Sequence, residues 1–237
     1  MTDQTSSAMP DNPAEAALLA HIAEQSKTDP LIGAKLGSRK VTQRLIAGLK
    51  TERGVHVDSM LCVLGALAGY ACQAAVRAQA AAQGLAEEAL FTTVQTADGK
   101  KLFFGDHLNK PLAEDRYSVW GIAAGGAQEA GCETFPDLNH IFQHVAQDAG
   151  SDAFGVPRVP EQHQAHDLPL NYLRIIWPAL LPLFEKFCPD RTQWPIMLAL
   201  SAQEVIVMAK DAIDPALALT IVMESAVPMS KVDLGSA

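Results

Sequence analysis

Four of the seven histidines, His140, His144, His163 and His166, fall in one short stretch of the chain. Imidazole binds divalent metals and moves protons near neutral pH, so this stretch is where chemistry is sought first. His140 and His144 are spaced i, i+4, which projects both from one helix face and would let them share an ion. His163 and His166 form a second pair, with Asp167 adjacent as a hard ligand or ring-orienting carboxylate. Together the five residues would suit a divalent, zinc-like ion in a metal-dependent hydrolase, the ion lowering the pKa of a bound water to about 7. The H-E-x-x-H spacing of zinc proteases is absent, because Ile141, Phe142 and Gln143 separate the first pair. Periodicity also argues for a plainer role. Leu138, Ile141, Phe142, Val145 and Ala149 form an apolar stripe, and His140 and His144 fall roughly opposite it as two solvated side chains.

The segment from Gly150 to Asp167 shows neither helical nor strand period. Structureless loops beyond about 12–15 residues tend to be lids, binding loops or disordered. This one carries Arg158, a candidate ligand-binding residue, besides His163, His166 and Asp167. Folded over the helix expected at 136–149, it would gather all four histidines. Wrapped around a neighbouring subunit, it would scatter them.

A second candidate is cationic. Lys35, Arg39, Lys40, Arg44, Lys50 and Arg53 are opposed locally only by Glu52, six charges against one, in a chain whose net charge is -9. Arg39, Lys40 and Arg44 would line the polar side of a helix over 38–53, and Gly37-Ser38 at its start would offer backbone N–H groups to an anion. Such a face could serve as an anion- or phosphate-binding module, although most charge runs are simply solvated. Gly33 to Ser38 is one residue short of a P-loop and lacks its Gly-Lys-Ser/Thr ending. A third candidate is Asp106-His107 after Gly105, where the two side chains could orient a ligand or Asp106 could cap a helix. No G-x-S-x-G elbow, no G-x-G-x-x-G after a strand, no paired C-x-x-C and no kinase signature occurs.

The elements that must position these residues are mostly helical. About one residue in six is Ala, a strong helix former, and the chain is 49% hydrophobic but only 6% aromatic over 237 residues. Asn12-Pro13 opens a first helix, and Asp29-Pro30 with Gly37 breaks the chain before a second that ends at Gly54. Asp58 is read as the cap of a helix to about Gln83 that is apolar nearly all round, hence buried on every side. Its Gly65 and Gly69 remove bulk from one stripe and allow a neighbouring backbone to approach. Two β-rich runs flank Asp98-Gly99, a two-residue hairpin signal. Such a hairpin must pack on helices or extend another sheet, a subunit partner's among them. Further helices are expected at about 118–131, 136–149, 168–187 (broken by Pro178 and Pro182), 194–213 and 214–227. Gly121 to Gly126 follow no strand and read as packing glycines.

The sequence thus predicts a mainly α, single-domain multi-helix bundle with buried apolar central helices and one small β-hairpin at about 90–104. Its domain spans 12–228, between a disordered tail over 1–11 and a flexible tail over 229–237. The longest unbroken apolar stretch, Met60 to Cys72, is shorter than the ~18 residues of a spanning helix, and no signal peptide precedes it. The acidic balance disfavours nucleic acid and anionic membranes as partners. Cys62, Cys72, Cys132 and Cys188 lie far apart, as in a reduced, cytoplasmic protein. Three all-round apolar helices are many for one chain. The leading functional expectation is therefore a homo-oligomer that binds a partner protein or small molecule without a cofactor.

Overall fold

The computed structural model describes residues 13–86, 89–97 and 99–235; the expected tail over 1–11 lies outside them. The fold is mainly α with one small antiparallel hairpin. α1 (Pro13–Gln25) starts on a proline, whose missing N–H costs nothing in a first turn. α2 (Ile32–Leu49) begins earlier than expected and runs straight through Gly37-Ser38. Gly37 is there for packing: a side chain on it would strike Met197 and Phe187. Ser38 is buried mid-helix, its hydroxyl donating to the Lys35 carbonyl. The anion site expected at a helix start over 37–38 therefore does not form.

α3 (Val57–Gln83) is the central helix, capped by the His56 side chain rather than by Asp58 and stopped by Gly84 at φ 67°. Among the described residues it alone has the length and hydropathy to cross a bilayer, and 89% of its most apolar window is buried inside this chain. α7 (Pro169–Phe187), α8 (Trp194–Met208) and α9 (Pro215–Met229) pack around it, and α5 (Val119–Glu129) covers α8 from outside. Gly65 and Gly69 touch the α9 backbone at Val222 and Ala226, where any Cβ would collide. Gly126 of α5 likewise seats Gln203 of α8. The three apolar helices bury one another, so the surplus that suggested a subunit interface is absorbed within a single core.

α7 is continuous, although Pro178 and Pro182 were expected to break it. Both prolines lie on its exposed side. The carbonyls they leave unbonded, of Arg174 and Pro178, also belong to exposed residues, where water can satisfy them.

β1 (Thr92–Gln95) pairs with β2 (Lys101–Phe104), Thr92 opposite Phe104 and Gln95 opposite Lys101. This register puts Thr96 opposite Lys100 and leaves a turn one residue longer than the two-residue one expected, with Gly99 at φ 83°. Asp98 lies outside the described residues. α4 (Asp106–Asn109) follows and continues through a wider π-type turn over Lys110–Glu114.

The hairpin's neighbour is the chain's own C-terminal segment. Phe103 N–H donates to the Lys231 carbonyl at 2.8 Å, and Leu102 bridges Val232. Gln73 of α3, fully buried, donates to the carbonyls of both Ser230 and Val232 at 2.8 Å. Met229 to Val232 are consequently buried, and the flexible tail expected from 229 does not include them. Lys231 lies between the rings of Phe104 and Phe142, where burial pushes its amine down to about 8.

Candidate functional site

The histidine-rich residues singled out in the sequence separate into two groups, both at the segment over 150–168. The first is at the start of α3. His56 Nδ1 accepts from the Ser59 N–H at 3.3 Å and lies 2.9 Å from Ser59 Oγ. Its proton therefore sits on Nε2, which faces Asp58 Oδ2 at 3.5 Å. The other Asp58 oxygen, Oδ1, lies 3.0 Å from His163 Nδ1. His166 stacks on His56 with ring centroids 4.0 Å apart, and its backbone N–H donates to Ser59 Oγ at 3.0 Å. Hydroxyl, imidazole and carboxylate stand in the order of a nucleophile relay. Ser59, however, is only 3% exposed, and the hollow under the strap at Cys62 and His163 is about 50 Å³, room for a water or two. What the arrangement does is fasten the 150–168 strap to the first turn of α3. Asp167 belongs to the same end: it accepts from Leu168 N–H and Asn171 Nδ2, which hold its carboxyl below the usual carboxylate range and open α7.

The second group is interior. α6 (Leu138–Gln147) is capped by Asp137 and presses against α9. His144, expected in solvent, is 4% exposed and its Nε2 lies 2.9 Å from Glu224 Oε2. It sits one turn from Ile141 on the buried flank of α6, so the polar face expected there is instead covered by α9. Burial pushes Glu224 up to about 7 and His144 downward, because it penalises charge on both. Arg158 ties the strap in here: its N–H donates to Glu224 Oε2 at 3.3 Å and its guanidinium to Asp148 at 2.9 Å. His140 stays exposed, its ring 6.0 Å from that of His144.

The strap thus lies on α3 and α9 rather than over α6, and the four histidines do not assemble. Among the described residues, no group of three or more His, Cys, Asp or Glu is placed to hold a metal ion. Asp106 and His107 are exposed in the first turn of α4, and the cap position belongs to Gly105. The four cysteines are buried thiols without a disulfide.

The remaining feature is a surface. Between α2 and α7 runs an open apolar furrow of about 330 Å³, walled by Leu45, Leu49, Tyr172, Ile176 and Ala179. Ile175, on the same wall, is 70% exposed, more than any other large apolar side chain among the described residues. Arg44 lines this furrow and also the next hollow along it, of about 660 Å³, which it shares with Lys40, Leu183, Phe187 and the Ala14 and Leu18 side of α1. Arg39, Lys40, Arg44 and Arg174 are exposed and form no ion pair with a described residue.

No known protein family, curated protein or solved structure matches this chain. Its function must be argued from its own surface and interior.

Sequence reasoning missed His56, Ser59 and Glu224. A signal existed for each: Glu224 is the one charge in an otherwise apolar helix, and His56-x-Asp58-Ser59 directly precedes an apolar run. Ile175 was hidden differently. In sequence it is one more apolar residue in a helix rich in them, and only the packing shows that it has no cover.

Proposed function

We propose that this protein is a non-catalytic helical binding module whose docking face is the furrow between α2 and α7. The observation that carries the reading is Ile175, 70% exposed on an apolar wall, in a chain that hides its other apolar helices from water. Water-exposed apolar grooves rimmed by polar groups mark interaction sites. Self-association, expected from an excess of apolar helices, falls back on the same furrow, because α3, α8 and α9 bury one another. Buried, unbridged thiols support a reducing compartment such as the cytoplasm as the setting.

The test is binding of a short uncharged amphipathic helix to the wild type and to Ile175→Asp. Ile175 is exposed, so the substitution leaves the fold intact. One-to-one binding by the wild type, weakened at least about tenfold in the variant, which corresponds to roughly 1.4 kcal/mol, is the expected result. Equal binding by both proteins, or by neither, overturns the reading.

A further inference from the structure

We propose that the occupant of the α2/α7 furrow is an acidic amphipathic helix of a partner protein. The inference rests on the furrow being a docking face and adds the chemistry of what fills it.

The walls dictate the conformation of the occupant. Both are helices, whose backbone N–H and C=O groups are bonded internally. An extended segment laid between them would find no ladder partner for its own backbone, whereas a helix satisfies its backbone itself. Tyr172 to Leu180 of α7 rises about 12 Å, which accommodates roughly two turns of a seated helix and apolar anchors at i, i+3, i+4 and i+7.

The charges dictate its sign. α2 contains no acidic residue, and while its Lys35 is paired with Asp29 at 2.7 Å, Arg39, Lys40 and Arg44 form no ion pair with a described residue. α7 sets no acidic side chain along the open furrow, and its Glu185, farther along the helix, pairs with Arg191 at 2.9 Å. This cationic face stands on a chain of net charge -9. A basic occupant would be repelled at the rim, and an acidic one steered in.

The chain supplies its own precedent. Further along the same two helices, α1 packs beside them and walls the next hollows, its Ala14 and Leu18 with Leu183 and Phe187 near Lys40 and Arg44, and its Leu19 and Ile22 with Gly33 and Phe187. α1 carries no lysine or arginine, so nothing on it repels Lys40 and Arg44. The open stretch past Arg44 would take a second helix of the same kind.

The experiment uses the full chain and three versions of one helical peptide, identical on the apolar face and carrying Glu, Gln or Lys on the polar face. Two exposed contacts, at Lys40 and Arg44, predict that the Glu peptide binds about fivefold tighter than the Gln peptide, the Lys peptide being weakest. Added salt should remove the difference, and Arg44→Glu should reverse the order. Equal affinity for the Glu and Gln peptides, both lost in Ile175→Asp, sinks the acidic partner and leaves the docking face standing. No binding of any peptide, with Ile175→Asp silent, sinks both. A wild-type dimer that Ile175→Asp splits and that the Glu peptide cannot displace would show a second copy in the furrow and overturn the proposal.

Discussion

Glu224 Oε2 lies 2.9 Å from His144 Nε2, with both side chains nearly excluded from water. Burial raises the first and lowers the second, so both groups favour their uncharged forms and the carboxyl holds its proton up to about pH 7. The raised carboxyl keeps its proton in the folded chain from about 4.5, its ordinary value, up to about 7. The folded state therefore binds more protons than the unfolded state in that window, and Glu224 costs stability progressively as pH rises through it. The cost, fully developed above about 7, is on the order of 3 kcal/mol. His144 acts oppositely, costing stability as pH falls below its ordinary 6.5. Glu224→Gln removes the carboxyl's titration and can still donate to His144. Its Tm relative to wild type should climb by several degrees between about pH 5 and about pH 8. A flat or falling difference would contradict the assignment.

The contact of Gly65 and Gly69 with the α9 backbone makes a sharper stability prediction. Gly65→Ala and Gly69→Ala should each cost about 2–3 kcal/mol, because the obstacle is main chain and cannot rotate away. Gly48→Ala in α2 meets nothing within 4 Å and should stabilise by about 0.5–1 kcal/mol. Chemical denaturation of the three variants distinguishes close packing from a general helix-propensity effect, which would stabilise all of them.

Gln73 ties the hairpin's third partner into the core. Gln73→Leu leaves the Ser230 and Val232 carbonyls without their donor, at a cost of about 2–3 kcal/mol. The Phe103 N–H, bonded to Lys231, should then exchange with solvent much faster than the amides of α8. Uniform acceleration across the chain would show instead that the segment unfolds only with the whole.

Asp58 holds the strap through His163 and faces His56 as well. Asp58→Ala should release the strap locally, and trypsin should cut after Arg158 roughly tenfold faster, for a lost contact of about 1–1.5 kcal/mol. Unchanged cleavage would mean that the His166 stack and the Glu224 contact suffice alone.

The architecture was legible because its driving pattern is local. Stretches such as Met60 to Val76 carry so little polarity that only burial suits them, and Pro13 marks a helix start by backbone chemistry alone. Failures came where tertiary contact decides. Ser38 reads as a cap until the packing of Gly37 against Phe187 and Met197 explains the glycine and both residues prove to lie inside α2. His144 reads as solvated until α9 brings Glu224 to it, and the two are eighty positions apart in the chain. Local periodicity carries no record of such a pairing. The basic run was visible as charge, but the apolar furrow it borders exists only once α7 lies beside α2.

The most direct measurement follows the side-chain methyl resonances of the full chain as the glutamate-bearing peptide is added. The account predicts shifts concentrated at Leu45, Leu49, Ile175, Ile176 and Leu180, with the methyls of Ile141, Val145 and Ile206 unmoved. Shifts centred on the strap or the hairpin, or none at saturating peptide, would contradict it.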